Sequence, residues 1–357
     1  MIRTMRRLAV VLAAAALTMA EPAIAAQPAV AAPPRIVAVG DLHGDYDAWI
    51  QIASRAGLID RRNSWAGGSS VLVQTGDITD RGPDSLKIIR HLMRLQVQAR
   101  RSGGRVVVVL GNHEAMNMTA DLRYVHPGEF AAFANTASDR FRHRIFDANK
   151  AAVTAAYRSA NPAMTDAAIR EAWLAANPPG KLEHQAAWSP RGELGRWTMA
   201  NPAVARVGDT LFVHGGLSMR YAGVPLDQIN RLAAAALAAQ SEDPAAIIND
   251  QFGPLWYRGY VTRSAASEAP AAAAASGQAA AAPAYPSPEE ELTAVLRSTG
   301  AKRMVIAHTP NRTGIAILYG GRLAVIDTGI SRYYGGKLSY LEILGDRLVP
   351  HAWERSR

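Results

Sequence analysis

Three short apolar runs, each ended by a polar motif, constrain the fold of this chain more than any other feature. The runs cover residues 35–39, 70–74 and 105–110, and helical stretches separate them. Runs rich in β-branched residues that alternate with helices predict an α/β sheet with helices packed on it. Ligands of such sheets bind beyond the carboxyl ends of the strands. The polar motifs after the runs are therefore expected to share one site.

Five motifs together supply two Asp, one Asn and three His in the order that a two-metal hydrolase needs. They are Gly40-Asp41-Leu42-His43-Gly44, Gly76-Asp77-Ile78-Thr79-Asp80-Arg81-Gly82, Gly111-Asn112-His113-Glu114, Val213-His214-Gly215-Gly216 and Ala307-His308-Thr309-Pro310. Each motif taken alone is weak evidence, because a single Asp after a strand is usually a turn former or a helix cap. Their joint occurrence, each flanked by glycine or a tight turn, predicts a metal centre.

The spacing of these residues divides them between two ions. Asp41 and His43 lie two residues apart on an extended turn, so both can reach one ion. Asp77 is the natural bridge, since a carboxylate has two oxygens to share. Asn112 offers a neutral carbonyl oxygen to the second ion. His214 and His308 complete the ligands of the second ion.

The ligand set is mixed nitrogen and oxygen, and the chain contains no cysteine. Such a set suits Mn, Fe or Zn more than Mg or Ca. Two divalent or trivalent ions of this kind clamp a phosphate and lower the pKa of a bridging water. The sequence therefore predicts a phosphate-cleaving centre with two metal ions as cofactors.

These motifs resemble the signature of the PPP-type phosphoprotein phosphatases, within the calcineurin-like metallophosphoesterases. The extended motifs at 111–117, 253–258, 307–310 and 327–329 are similar to those of the bacterial-type branch called Shewanella-like phosphatases. The resemblance covers about residues 35–350. It implies an α/β (α+β sandwich) fold of four αββα layers, with a helical insertion.

The resemblance also implies roles for the residues at matching positions. The first metal would be held by Asp41, His43 and Asp77. The second would be held by Asp77, Asn112, His214 and His308. His113 would be the general acid, oriented by Asp80, and the phosphate would be gripped by Arg81 and Arg258.

Alternative interpretations stay open for several of these residues. For His113 the alternative is a third metal ligand or a packing residue. For Arg258 it is a surface salt-bridge partner. Asp45 is either a partner of His43 or a helix N-cap. Glu114 and Asn117 either support the site or cap the following helix, and Asp327 and Tyr334 either line the cleft or have structural roles. The aromatic residues Trp188, Trp197, Trp256 and Tyr257 are predicted to lie in the core, with contact to substrate as the alternative for Tyr257.

Composition predicts the organisation of the rest of the chain. Residues 1–26 have a basic start, a short apolar run and a small-residue cleavage site, which is typical of a signal peptide. An uncleaved membrane anchor is the alternative. An unstructured lead-in (27–34) and one phosphoesterase domain (35–357) follow. Within the domain, 121–198 reads as a helical insertion that caps the sheet, and 264–288 as a flexible Ala/Pro-rich loop. The strands predicted over 303–351 suggest a second, mostly antiparallel sheet.

The function predicted from these observations is an exported phosphomonoesterase, periplasmic in a Gram-negative bacterium and otherwise secreted. A metal-bridging hydroxide would attack phosphorus while His113 protonates the leaving group. The expected substrate is a phosphorylated protein or peptide, with a preference for phosphotyrosine that rests on the resemblance.

Two other functions remain open from the sequence. The same core serves nucleotides, dinucleoside polyphosphates and other small phosphoesters, and a degenerate fold would only bind phosphorylated ligands. The formal net charge of +9 suits anionic substrates, and equally a solvated surface. No basic-aromatic pattern points to a nucleic-acid polymer. Stable membrane insertion is not expected after cleavage of the leader.

Overall fold

The computed structural model describes residues 34–263 and 287–355 of the 357-residue chain. The predicted signal peptide (1–26) lies outside these residues, as does the predicted lead-in except for Pro34. Residues 264–286 of the predicted Ala/Pro-rich loop also lie outside them. Ser287 caps the helix that follows, and its hydroxyl and the Glu290 carboxylate bond each other's backbone N–H groups.

The described residues form ten strands, twelve α-helices and a short 3₁₀ helix at Tyr319–Gly321. The strands are β1 Ile36–Val39, β2 Val71–Gln74, β3 Arg105–Val108, β4 Val204–Val207, β5 Thr210–Val213, β6 Arg303–Ile306, β7 Ala316–Leu318, β8 Leu323–Val325, β9 Leu338–Leu344 and β10 Arg347–Trp353. The helices are α1 Tyr46–Arg55, α2 Ser85–Arg101, α3 Asn112–Met118, α4 Pro127–Ala131, α5 Ser138–Ala148, α6 Lys150–Ala160, α7 Asp166–Ala176, α8 Lys181–Trp188, α9 Glu193–Met199, α10 Leu226–Ala238, α11 Gly259–Thr262 and α12 Pro288–Thr299.

Two five-stranded mixed sheets carry the fold. The first has the order β10-β9-β1-β2-β3, with β1, β2 and β3 parallel and the β9–β10 hairpin antiparallel to them. The second has the order β4-β5-β6-β8-β7, with β5, β6 and β8 parallel and an antiparallel strand at each edge. Each sheet therefore has three parallel strands whose carboxyl ends lie at one edge.

The predicted organisation of the C-terminal strands is wrong in one respect. The strands after residue 303 do not form one mostly antiparallel sheet of their own. Instead, β6, β7 and β8 join β4 and β5, whereas β9 and β10 return to the first sheet beside β1. Pairing between β1 and β9 joins residues that lie about 300 positions apart, as in Ile36 with Ile343. Local sequence patterns carry no information about partners at that distance.

Apolar side chains fill both faces of the sheets. Ile36 and Ala38 of β1 belong to the same buried cluster as Phe212 of β5, which is the core between the two sheets. The alternate residue Val37 belongs to a second cluster with Trp49 of α1, which is the core between sheet and helices. Side chains alternate between the faces of a strand, so each strand contributes to both cores. This arrangement confirms the four-layer sandwich.

Six consecutive helices, α4 to α9, lie between α3 and β4. They occupy the segment that was predicted as a helical insertion, and α8 packs against both α3 and α4. Because α3 follows β3 directly, this packing places α8, with α4 against it, beside the edge where the polar motifs lie. Among the described residues, no helix has the combined length and apolar character needed to cross a membrane.

Candidate metal centre

The polar motifs meet at the carboxyl edge shared by the two sheets. Each residue lies just beyond a parallel strand: Asp41 after β1, Asp77 after β2, Asn112 after β3, His214 after β5 and His308 after β6. All five side chains are buried. The structure therefore brings together residues that span more than 260 positions of the chain.

Asp77 belongs to two groups of potential metal ligands. One group contains His43, Asp77 and His113, and the other contains Asp77, His214 and His308; within each group the ligand atoms lie within 4.8 Å of one another. Asp77 Oδ2 is 3.8 Å from His43 Nε2 and 3.2 Å from His214 Nε2. A carboxylate shared by two groups has the geometry of a bridging ligand.

The second group also includes an amide oxygen. His214 Nε2 lies 3.0 Å from Asn112 Oδ1 and 3.1 Å from His308 Nδ1. Ligands bonded to one ion at about 2.0–2.1 Å are separated from each other by roughly 3 Å. These distances match that spacing without any movement of the side chains.

Backbone carbonyls orient two of the histidines. His43 Nδ1 is 2.9 Å from the Thr79 carbonyl, and His214 Nδ1 is 2.8 Å from the Thr75 carbonyl. A carbonyl can only accept, so Nδ1 carries the proton in both rings. The lone pair of each Nε2 then faces the centre, which is the form that binds metal.

Buried carboxylates show that the centre suits cations. Asp41 Oδ1 and Asp327 Oδ2 find no hydrogen-bond donor among the described residues. Burial, followed by the charges of Asp327 and Asp77, raises the pKa of Asp41 well above its ordinary value. Burial also raises the pKa of Asp327, to about 6. Buried carboxylates are costly unless a cation balances them, so the donor set fits divalent ions.

A hydrogen-bonded pair adjoins these ligands. His113 Nδ1 is 2.5 Å from Asp80 Oδ2, and Asn117 Nδ2 donates to Asp80 Oδ1 at 2.9 Å. His113 Nε2 lies 3.8 Å from Asp77 Oδ2. Burial lowers the pKa of His113, but the charges of Asp77 and Asp80 outweigh it and raise the pKa above its ordinary value. The ring is thus held in a fixed orientation with its second nitrogen directed toward the ligands.

Backbone strain is concentrated in these motifs. Positive φ angles occur at His43 (43°), Asp77 (52°), Asp80 (70°), Arg81 (68°) and His308 (66°). Non-glycine residues adopt this region at a cost of order 1–3 kcal/mol each, unless the surroundings enforce it. At Asp77 and Asp80 it is enforced by two buried glutamates from helices.

Glu114 holds the turn that carries Asp77. Its Oε2 accepts the N–H groups of Asp77 and Gly111 at 2.9 Å, and its Oε1 accepts the N–H groups of Ile78 and Thr79 at 2.8 and 3.2 Å. The Gly111 bond also caps α3. Glu114 therefore supports the site and caps the helix, two roles that the sequence left as alternatives.

Glu129 holds the next turn and was not singled out by the sequence. Its Oε1 accepts the Asp80 N–H and the Ser85 hydroxyl, both at 2.8 Å. Glu129 lies on α4, 49 residues beyond Asp80. No local pattern marks a contact of that length. Burial, followed by the charge of Asp80, raises the pKa of Glu129 well above its ordinary value.

The two predicted phosphate-binding arginines differ in their surroundings. Arg81 is half-buried and lies between the rings of Tyr124 and Tyr333. Arg258 is exposed, and its Nη1 donates to the His308 carbonyl at 2.8 Å and to the Thr309 hydroxyl at 3.0 Å. These contacts hold Arg258 beside the second ligand group.

The structure also assigns contacts to residues that the sequence left open. Asp45 caps α1, because its Oδ1 accepts the Ala48 N–H at 3.0 Å. Its Oδ2 accepts the Arg332 N–H at 2.8 Å. Tyr257 is buried, and its hydroxyl donates to Glu291 at 2.5 Å, so it packs behind the site. Asp327 follows β8 and adjoins Asp41, which makes it a part of the centre.

Comparison with known proteins agrees with this geometry. The model of the calcineurin-like phosphoesterase family matches residues 34–325. The chain belongs to that family. It is thus a phosphoesterase, and its similarity to Shewanella-like protein phosphatases agrees with the resemblance indicated by its motifs.

Three similar proteins illustrate the relationship. An uncharacterised protein of Schizosaccharomyces pombe is 30% identical over 307 residues, which cover 82% of this chain and 72% of that protein. Shewanella-like protein phosphatase 2 of Arabidopsis thaliana is 35% identical over 200 residues, 55% of this chain and 49% of that protein. A solved structure of a cold-active protein tyrosine phosphatase is 26% identical, with a TM-score of 0.62 over 89% of this chain and 76% of that one. The chain thus spans about half the length of the Arabidopsis relative.

Substitution of Gly111 by alanine is expected to disturb Asp77. A Cβ at Gly111 would lie 2.2 Å from both the Asp77 amide nitrogen and its Oδ1. The φ of Gly111 is −98°, so alanine adds a steric conflict without a backbone one. We expect about 10–100-fold weaker Mn²⁺ binding by calorimetry, the usual effect of displacing groups that orient ligands. The matched control is Gly223→Ala, whose Cβ meets nothing within 4 Å. Equal affinities in the two variants would contradict the expectation.

Two isosteric glutamate substitutions are expected to differ in their effect on stability. In Glu114→Gln, either orientation of the amide turns an NH₂ group toward two backbone donors, which costs about 1–3 kcal/mol. In Glu129→Gln, the amide oxygen replaces Oε1, which is the oxygen that accepts both hydrogen bonds. The free energy of unfolding is therefore expected to fall by less than about 1 kcal/mol. Urea unfolding in EDTA measures both without a contribution from bound metal. A loss in Glu129→Gln as large as that in Glu114→Gln would show that this account of the two carboxylates is wrong.

Proposed function

We propose that this protein is a two-metal phosphomonoesterase that acts on phosphorylated proteins or peptides, with a preference for phosphotyrosine. The observation that carries the proposal is the position of Asp77 between His43 and His214, with His113 held next to it by Asp80. A centre that only stored metal has no need of an oriented histidine with a free nitrogen directed at the ligands.

In this proposal Asp41, His43 and Asp77 hold one ion. The other is held by Asp77, Asn112, His214 and His308, and its identity lies among Mn, Fe and Zn. Such ions supply a nucleophilic water near neutral pH and offset the charge of the phosphate. The buried position of the ligands keeps competing solvent away from them.

His113 is proposed to act as the general acid. Asp80 accepts its Nδ1–H, so the proton available to a leaving group is the one on Nε2. Asp80 is in turn fixed by the Asn117 amide and by the backbone bond to Glu129. This chain of contacts keeps His113 charged and aimed, as a proton donor to an ester oxygen requires.

Arg81 and Arg258 are proposed to bind the phosphate oxygens. Planar guanidinium groups match a tetrahedral anion through paired hydrogen bonds. Arg258 is anchored to the backbone of the proposed ligand His308, and Arg81 directly follows Asp80. Both cations therefore lie beside the groups proposed for metal binding and proton transfer.

The protein substrate is supported by similarity to a Shewanella-like protein phosphatase and to a cold-active protein tyrosine phosphatase. Small phosphoesters such as dinucleoside polyphosphates are the alternative, because the same ligand set serves them. Hydrolysis rates of the Mn²⁺-loaded protein separate these two substrate classes. The substrates compared are phosphotyrosine, phosphoserine and phosphothreonine peptides and a dinucleoside tetraphosphate. We expect the highest kcat/KM on the phosphotyrosine peptide. Faster cleavage of the dinucleotide would overturn the choice of substrate.

The same assay separates catalysis from mere binding. EDTA treatment is expected to abolish hydrolysis of an aryl phosphate, and Mn²⁺ to restore it. His113→Asn is expected to lower kcat by about 10²–10⁴-fold, the usual contribution of a general acid, and Asp77→Asn to abolish activity. Asp227→Asn, on the exposed face of α10, is the matched control. Phosphate binding without hydrolysis in the unmodified protein would favour the binding-only function.

We also propose that the protein is exported, on the basis of the basic start and apolar run within residues 1–26. Expressed in a Gram-negative host, it is expected in the periplasmic fraction with a mature start near Gln27, as read by N-terminal sequencing. Deletion of residues 8–19 should retain it in the cytoplasm. Full-length protein in the cytoplasm or membrane fraction would argue against cleavage and export.

A further inference from the structure

Two tyrosines from distant loops enclose the guanidinium group of Arg81. Its Cζ lies 3.8 Å from the ring centroid of Tyr124 and 4.8 Å from that of Tyr333. Tyr124 belongs to the loop between α3 and α4, and Tyr333 to the loop between β8 and β9. The cation is thus covered by aromatic rings supplied from two separate parts of the chain.

Hydrogen bonds fix the same arrangement. The Arg81 backbone N–H donates to the Tyr124 carbonyl at 3.0 Å, and Arg81 Nη1 donates to the Tyr333 hydroxyl at 3.2 Å. Arg81 itself has a φ of 68°. One tyrosine therefore holds the backbone of the strained residue, and the other holds the end of its side chain.

The enclosing rings continue to the metal centre on both sides. The Tyr124 ring lies 5.2 Å from the ring of His113. The Tyr333 ring lies 5.0 Å from that of Tyr334, which in turn lies 5.3 Å from that of His43. Arg81 and its two tyrosines are therefore part of the wall of the centre.

Enclosure matters because an arginine side chain is long and has many rotamers. An unrestrained guanidinium group must be ordered each time it binds an anion, which weakens binding. Rings that cover a guanidinium group attract it through cation–π interaction, and the in-plane N–H groups of Arg81 that do not bond Tyr333 remain as donors. A guanidinium group ordered in advance binds phosphate without that loss.

We propose that Tyr124 and Tyr333 are positioning residues that hold Arg81 ready to bind the phosphate group of the substrate. The inference rests on the proposed function, in which Arg81 is a phosphate ligand. Tyr333 is 59% exposed, so its hydrophobic burial contributes little to the fold. Its position is instead explained by its contacts with Arg81 and Tyr334.

The test compares aromatic and aliphatic replacements of Tyr333 in the full-length, Mn²⁺-loaded protein. Tyr333→Leu is expected to raise KM for an aryl phosphate, and the inhibition constant of inorganic phosphate, about tenfold, with kcat changed less than threefold. Tyr333→Phe keeps the ring and should restore most of the affinity. Tyr124→Phe and Tyr124→Leu should follow the same order. Tyr157→Leu, on α6, is the matched control.

A double-mutant cycle decides whether Tyr333 acts through Arg81. In an Arg81→Ala background, Tyr333→Leu should change KM and the inhibition constant by less than twofold, because the group it positions is gone. The same tenfold effect in both backgrounds would overturn the proposal, as would an equal loss in Tyr333→Phe and Tyr333→Leu. If the unmodified protein binds phosphate but does not hydrolyse the ester, the proposed function fails, and phosphate affinities by calorimetry still test the positioning role.

Discussion

The carboxylate of Glu114 is the contact on which the rest of the centre depends. It accepts four backbone N–H groups. Three come from Asp77, Ile78 and Thr79 in one turn, and the fourth comes from Gly111, which precedes α3. The positive φ of Asp77 is therefore stable, and its side chain reaches both ligand groups. Without a buried acceptor at this point, those N–H groups would face each other unpaired.

The two sheets bring the other candidate ligands to the turn that Glu114 holds. Each sheet has three parallel strands that end at the same edge, and a ligand or a supporting residue follows every one of them. One sheet alone supplies Asp41, Asp77 and Asn112. His214, His308 and Asp327 follow strands of the other sheet. A centre with two ligand groups needs both sheets, and the apolar core between them fixes their separation.

Much of the centre was predictable because its motifs are local. The Asp, Asn and His residues were predicted as candidate ligands from glycine-flanked turns after apolar runs, and the structure brings them together at one edge. The pairing of the C-terminal strands was predicted wrongly, since β9 pairs with a strand about 300 residues away. Glu129, Tyr124 and Tyr333 were not predicted to act at the site. Their contacts with Asp80 and Arg81 cross loops and helices, and no spacing in the sequence marks them.

The sequence by itself therefore determined the kind of chemistry, because ligand type and the turn that presents it are properties of a few adjacent residues. The tertiary structure decided which glutamates hold the strained turns and which aromatic rings enclose Arg81. Those choices depend on the approach of side chains from separate elements. Only packing of the two sheets and of the helical segment between α3 and β4 brings them within hydrogen-bonding distance.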